Sequence, residues 1–209
     1  MSPRPLTRQE SQARTRARLV RSAERVFLKR GYLAASIGQI ARAAGYTTGA
    51  VYSNFASKEE LGLAVMEERL TETIASLQDA LAAVEPTVQA RLAALDAWST
   101  RVLADEQWIV LTTEFAVAVR YKPPIRARFA AGMRTARDLI ADVARQQHHE
   151  LGLALPMPPE RLATAVLALT IGLSVQRVTD PDLDRGIFAD SIGALFASAP
   201  VAAAAATGN

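Results

Sequence analysis

Apolar residues recur at intervals of three and four along almost the whole chain, and nowhere do they alternate over the length of a strand. That periodicity predicts helices. Residues 11–30 place Leu19, Ala23, Val26 and Phe27 on one face, with Arg14, Arg18, Arg21 and Arg25 largely elsewhere. Gly31 offers a left-handed stop and Tyr32 the hydrophobic contact that often follows it. A short helix is predicted over 36–43, opened by a Ser36–Gln39 capping box, with Ile37, Ile40 and Ala41 inward. Ala44-Gly45-Tyr46 reads as a tight connection, and Thr47 as the N-cap of a second short helix over 47–53 with Val51 inward. Ser57 and Glu60 form another capping box ahead of a long helix over 57–83, whose apolar row runs Leu61, Val65, Met66, Leu70, Ile74, Leu77 and Leu81.

The remainder continues in the same way. Pro86 suits the first turn of a helix over 86–103 that carries Trp98. The next, over 105–121, aligns Trp108, Leu111, Thr112, Phe115 and Val119 and ends at Pro123-Pro124. A longer one, over 124–150, shows Ile125, Phe129, Met133, Ala136, Ile140 and Val143, and Gly152 stops it. The segment 159–177 is apolar nearly all round, 183–198 is the last predicted helix, and the Ala-rich end from Pro200 should fray. The fold class is therefore all-α.

Composition narrows the chemistry. Half of the 209 residues are hydrophobic and 22% are charged, enough to build a core. There is no Cys, which excludes disulfides, thiolate nucleophiles and thiolate metal sites. The two histidines are the adjacent His148 and His149 at a helix end, where a contact with the helix dipole outweighs chemistry. No catalytic group, metal site or cofactor is expected. Met1–Glu10 has no apolar signal core, and the uncharged stretch Leu162–Gln176 is too short to span a bilayer, so a cytoplasmic protein with no membrane partner is expected. The net charge of +3 hides an asymmetry: residues 1–60 hold eleven Lys/Arg against four acids, +7, while the rest holds thirteen against seventeen, −4. A basic end on an acidic body suits a polyanion partner.

Two short helices joined by a tight Gly-containing turn make a helix-turn-helix, whose second member can offer its start to a major groove. Thr47, Thr48 and Gly49 open that second helix with small side chains that let backbone approach DNA, and threonine methyls and hydroxyls can touch thymine, base edges or phosphate. Tyr46, Tyr52 and Asn54 add donors, Arg42 and Lys58 add charge, and the helix starts at Ser36, Thr47 and Ser57 are potential phosphate sites. These nine residues (Ser36, Arg42, Tyr46, Thr47, Thr48, Gly49, Tyr52, Asn54 and Lys58) are the candidate DNA contacts.

At these positions the sequence resembles the tetracycline-repressor (TetR) family of bacterial regulators. The carriers are Ser36, Ile40-Ala41, Ala44-Gly45, Gly49, Tyr52, Phe55 and Lys58, preceded by Ala23, Phe27 and Gly31-Tyr32. Tyr46 and Asn54 depart from the usual residues. The resemblance implies a homodimer with an N-terminal three-helix helix-turn-helix domain and a C-terminal helical ligand-binding and dimerisation domain. The expected division is a flexible basic arm over 1–13, a DNA-binding domain over 14–60, a regulatory domain over 61–198 and a flexible tail over 199–209. The helices near 159–177 and 183–198 are the expected dimer seam. Trp98, Trp108, Phe115, Phe129 and Met133 have plain core packing as their default reading and are also candidate walls for a small apolar or aromatic ligand, with Thr112 as a candidate polar handle on that wall. The function expected is a repressor that binds a palindromic double-stranded operator as a dimer and leaves it when the ligand binds. A DNA-binding protein tuned by a protein partner is the alternative, and an enzyme is disfavoured for want of a triad, phosphate loop or metal spacing.

Overall fold

The computed structural model describes residues 7–151, 154–184 and 186–197, and every described element is helical. In chain order these are α1 (Arg8–Arg30), α2 (Ile37–Ala44), α3 (Thr48–Tyr52), α4 (Lys58–Ala82), α5 (Val88–Leu103), α6 (Glu106–Val119), α7 (Pro123–Leu151), α8 (Pro159–Thr179) and α9 (Ile187–Ala197). The all-α expectation holds, and the helix order follows the predicted one.

The helix starts show where local chemistry rules. α1 begins three residues earlier than the apolar pattern suggested, because Thr7 and Glu10 form a capping box: Thr7 N–H donates to Glu10 Oε2 at 2.7 Å and Glu10 N–H to Thr7 Oγ1 at 3.2 Å. Residues 8–13, expected in a flexible arm, are therefore helical; the arm before Thr7 lies outside the described residues, as do Gly152 and the tail from 199. Pro86 does not start α5. Thr87 caps it, its hydroxyl accepting from Ala90 N–H at 3.3 Å. Gly31 ends α1 at φ 80°, ψ 155°, outside the left-handed helical well expected of it and in a region essentially reserved for glycine.

The helices form two compact units that do not follow chain order. One takes the residues up to Thr71 together with Gln107–Gly132; the other takes Glu72–Glu106 and the residues from Met133 on. α4 and α7 each give residues to both. A chain-order boundary at residue 60 differs from this division because α6 and the start of α7 pack into the core of α1–α4. In the first unit Leu19, Ala23 and Phe27 of α1, Ile40 of α2, Val51 of α3 and Leu61 of α4 are sealed from solvent with Phe115 of α6. A run of rings binds these elements: Phe27, Tyr32, Phe115 and Phe129 stand 5.2 Å apart, centroid to centroid, at each step. Two of the three contacts are edge-on, each worth about 0.5–1.5 kcal/mol beyond the area it buries. Gly62 lets them close up, since a Cβ there would fall 2.7 Å from Phe115 and 2.8 Å from Tyr32.

In the second unit α8 is 21 residues long and, by length and composition alone, apolar enough to cross a membrane; the uncharged run read from the sequence was shorter than the folded helix. Its buried face is not purely apolar. Arg177 is 5% exposed and pairs with Glu106 at 2.7 Å, and Ser174, one turn earlier, is also buried.

Candidate nucleic-acid interface

The α2–α3 pair is built from caps. Ser36 opens α2 by accepting from Gln39 N–H at 3.3 Å while the Gln39 side chain accepts from Ser36 N–H at 3.0 Å. Gly45 closes it at φ 74°, ψ 29°, and Tyr46 N–H reaches back to Ala41 O at 2.9 Å with Gly45 N–H on Arg42 O at 3.1 Å. That pair of bonds is the Schellman arrangement, which turns the chain sharply. Thr47 then caps α3, its hydroxyl accepting from Ala50 N–H at 3.2 Å. α3 is only five residues long, so it is held by its neighbours rather than by its own hydrogen bonds. Val51 and Phe55 plug it into the core.

This anchoring decides which side chains face water. Ser36, Arg42, Thr47, Thr48, Gly49 and Tyr52 are exposed, and Tyr52 keeps 55% of its surface free. Thr47, Thr48, Gly49 and Tyr52 form the outward face of the turn and α3, while Ser36 and Arg42 stand at the start and in the last turn of α2.

The other three candidates are engaged inside the protein. Tyr46 is half-buried against the core, and hydrogen bonds from Thr15 and Arg18 of α1, with the nearby Arg18 and Arg14 charges, hold its phenol below the usual range. Asn54 closes the end of α3: its side-chain amide donates to Ala50 O at 2.9 Å, and its backbone carbonyl accepts from Arg16 at 2.8 Å. Lys58 donates to Leu33 O at 3.2 Å and lies 4.5 Å from the centre of the Tyr32 ring. Burial lowers its pKa, against the opposing charges of Glu59 and Glu114.

Two residues that matter here are not among the candidate DNA contacts. Arg16 ties α1 to the end of α3 and stacks its guanidinium 4.1 Å from the Phe55 ring centre. Nothing in the sequence distinguishes it from the other arginines of α1. Glu114 accepts from Tyr32 N–H at 2.5 Å and Leu33 N–H at 3.4 Å. The loop before α2 is thus gripped from both sides, its N–H groups by Glu114 and a carbonyl by Lys58. A signal for Glu114 existed: it is the sole acid between Glu106 and Asp138.

The candidate ligand walls are not gathered in one unit. Trp108, Thr112, Phe115 and Phe129 belong to the first and Trp98 and Met133 to the second. Phe115 is fully buried in the ring cluster, and Thr112 donates its hydroxyl proton to Trp108 O at 2.9 Å. Trp108 lies 5.5 Å from the Arg69 guanidinium, and the Trp98 ring N–H donates to Ser76 at 3.0 Å.

The first unit thus displays a capped helix-turn-helix among helices, an arrangement able to offer α3 to a groove. Over residues 19–65 the chain matches the sequence profile of the bacterial regulatory proteins of the tetR family. It is similar to the transcriptional activator FasR of Mycolicibacterium smegmatis, 29% identical over 61% of this chain; the match spans 58% of FasR, less than two thirds of its length. Among solved structures, NemR of E. coli superposes with a TM-score of 0.69 at 19% identity, covering 90% of this chain and 99% of NemR. FadR of Bacillus subtilis, crystallised with stearoyl-CoA, superposes with a TM-score of 0.67 at 14% identity over 88% of this chain and 99% of FadR. At such identities these two establish the shared fold.

Proposed function

We propose that this chain is a cytoplasmic transcriptional regulator that binds a palindromic operator as a homodimer, reads it with α3, and is released by a small, largely apolar ligand. The observation that carries the reading is the division of labour in α3: Val51 anchors it while Thr47, Thr48, Gly49 and Tyr52 stay exposed. Ser36 and Arg42 flank this face and suit phosphate contacts. Lys58 holds the loop before α2 through Leu33 and offers positive charge at the same edge, while Tyr46 and Asn54 brace α3 from behind. In this scheme residues 14–60 are the DNA-binding domain and 61–198 carry ligand response and dimerisation.

A second copy of the chain is the partner that α8 suits. Ile171, Val175 and Val178 are 40%, 40% and 49% exposed at intervals of four and three, a continuous apolar stripe. Association through α8 and α9 would cover it and present two α3 helices to half-sites about 34–36 Å apart. Repression is the mode proposed, with operator release on ligand binding; the stearoyl-CoA complex of FadR supports a ligand with a large apolar part. The aromatic side chains of α5–α7, Trp98 and Trp108 foremost, are the proposed reporters of its binding.

Selection of bound sequences from a random duplex pool, followed by footprinting, tests the central claim. A two-fold symmetric site is expected, and Thr48→Val should relax discrimination at one position per half-site by about 1–3 kcal/mol. Protection of a single asymmetric half-site by a monomer refutes it.

A further inference from the structure

A cleft of about 250 Å³ opens in the first unit between α1 and the end of α2, lined by Arg18, Arg21, Ser22, Arg25, Ala43 and Ala44. Its lining holds three guanidinium groups and no carboxylate. The arginines follow one another at intervals of three and four, so they share one face of α1 and span about 10 Å along it. All three are exposed. Ser22, by contrast, is buried at 3% exposure, and its hydroxyl accepts from Arg25 at 3.0 Å, which lays that guanidinium along the cleft. Across the cleft stand two alanines, whose methyl groups leave the volume open.

The position of the cleft matters as much as its charge. Ala43 and Ala44 run directly into the Gly45–Tyr46 turn that delivers α3, and the Arg18 guanidinium acts on the Tyr46 phenol, helping to lower its pKa. The arginines therefore flank the reading helix on its α1 side. Guanidinium groups bind phosphate oxygens through paired N–H donors, and an open, acid-free cleft of this size has room for a tetrahedral oxyanion and part of an adjoining sugar.

We propose that this cleft is a phosphodiester site that grips the duplex backbone beside the segment read by α3. It rests on the DNA-binding reading above and adds to it a contact outside the base-reading face. Sequence preference stays with α3; the cleft supplies affinity and its salt dependence.

The test uses the full chain carrying Arg21→Ala with Arg25→Ala, binding a duplex that extends beyond the half-sites, over 50–200 mM salt. Both residues are exposed, and thermal melting checks that the variant folds. Losing one or two phosphate contacts lowers the slope of log K against log[salt] by about 0.9–1.8, so over that range wild type should lose roughly 3- to 12-fold more affinity than the variant. Arg21→Lys with Arg25→Lys should restore most of the slope, Arg134→Ala on α7 should leave it unchanged, and trimming the duplex to the bases facing α3 should erase the difference between wild type and variant. An unchanged slope on the long duplex overturns the proposal while the DNA-binding reading stands. Wild-type protein that binds no duplex overturns that reading and this one together. Titration of inorganic phosphate, followed through the arginine side-chain N–H resonances, separates the sources: shifts at Arg21 and Arg25 together with an unchanged duplex salt slope mark a free-anion site and refute the DNA assignment.

Discussion

Gly62→Ala and Gly132→Ala add the same methyl group to a helix interior and should move stability in opposite directions. In α7, a Cβ at Gly132 would meet Leu70 at 3.5 Å, an ordinary van der Waals contact. The substitution there keeps its intrinsic benefit, about 0.5–1 kcal/mol from the lower entropy of the unfolded chain. In α4, a Cβ at Gly62 would fall 2.7 Å and 3.1 Å from two Phe115 ring atoms and 2.8 Å from a Tyr32 ring atom. Neither ring can step aside, because Phe115 is 0% and Tyr32 3% exposed and each packs against the other at 89°. Overpacking of this kind costs about 1–3 kcal/mol, so the net effect at Gly62 is a loss of up to about 2 kcal/mol. Both glycines belong to the same compact unit, so one urea unfolding transition followed by circular dichroism reports on both. The midpoint should rise for Gly132→Ala and fall for Gly62→Ala. A rise at both would refute the packing of Phe115 and Tyr32 over α4. The Gly62 variant should also bind operator more weakly, since Lys58 lies over the Tyr32 ring against which the added methyl group presses.

Three further outcomes follow from buried polar contacts. Glu114→Ala strands the Tyr32 N–H at the head of the loop before α2 and should cost about 1–3 kcal/mol in denaturant unfolding, with Glu114→Gln recovering part of it. Glu106→Ala leaves the Arg177 guanidinium buried without its carboxylate and should destabilise more than Arg177→Met, which removes the charge and keeps the bulk; equal losses in thermal melts would contradict this. In a phenolate absorbance titration Tyr46 should ionise before Tyr32. Burial, and then the Glu59 charge, raise the Tyr32 pKa. Folded Tyr32 holds its proton where the unfolded phenol loses it. Its contribution to stability is therefore fully present below the ordinary tyrosine value, is lost as pH rises from that value through the raised folded one, and should vanish in Tyr32→Phe.

Helix order and the outward face of α3 were legible because both follow from local rules. Caps such as Ser36, Thr47 and Ser57 act over three residues, and a 3.6-residue period shows which side of a segment is apolar. Thr7 and Thr87 obey the same rule, and these caps, rather than the apolar row or Pro86, set where α1 and α5 begin. What stayed hidden depends on contacts across long stretches of chain. The Glu114 carboxylate meets Tyr32 from 82 residues away, Lys58 meets Leu33 from 25, and Arg16 meets Asn54 from 38. Glu114 also lies outside the Trp108, Leu111, Thr112, Phe115 and Val119 face that periodicity picks out on α6.

The same long-range packing changes how a signal could reach α3. Phe115 and Phe129, read from the sequence as candidate ligand walls, stack with Tyr32 and Phe27 of the α1–α2 corner. Glu114 sits beside Phe115 on α6 and holds the loop from which Ser36 starts α2. A ligand that shifted α6 would therefore pull on this loop directly, without first tilting α4. In that case Glu114→Gln, which keeps the side chain's shape and weakens its grip, should reduce the effect of ligand on operator affinity more than it reduces operator affinity itself. Reciprocal titrations of ligand and operator measure that coupling in both directions, because the factor by which each weakens the other must be the same. A coupling factor unchanged in Glu114→Gln would refute the route through this loop.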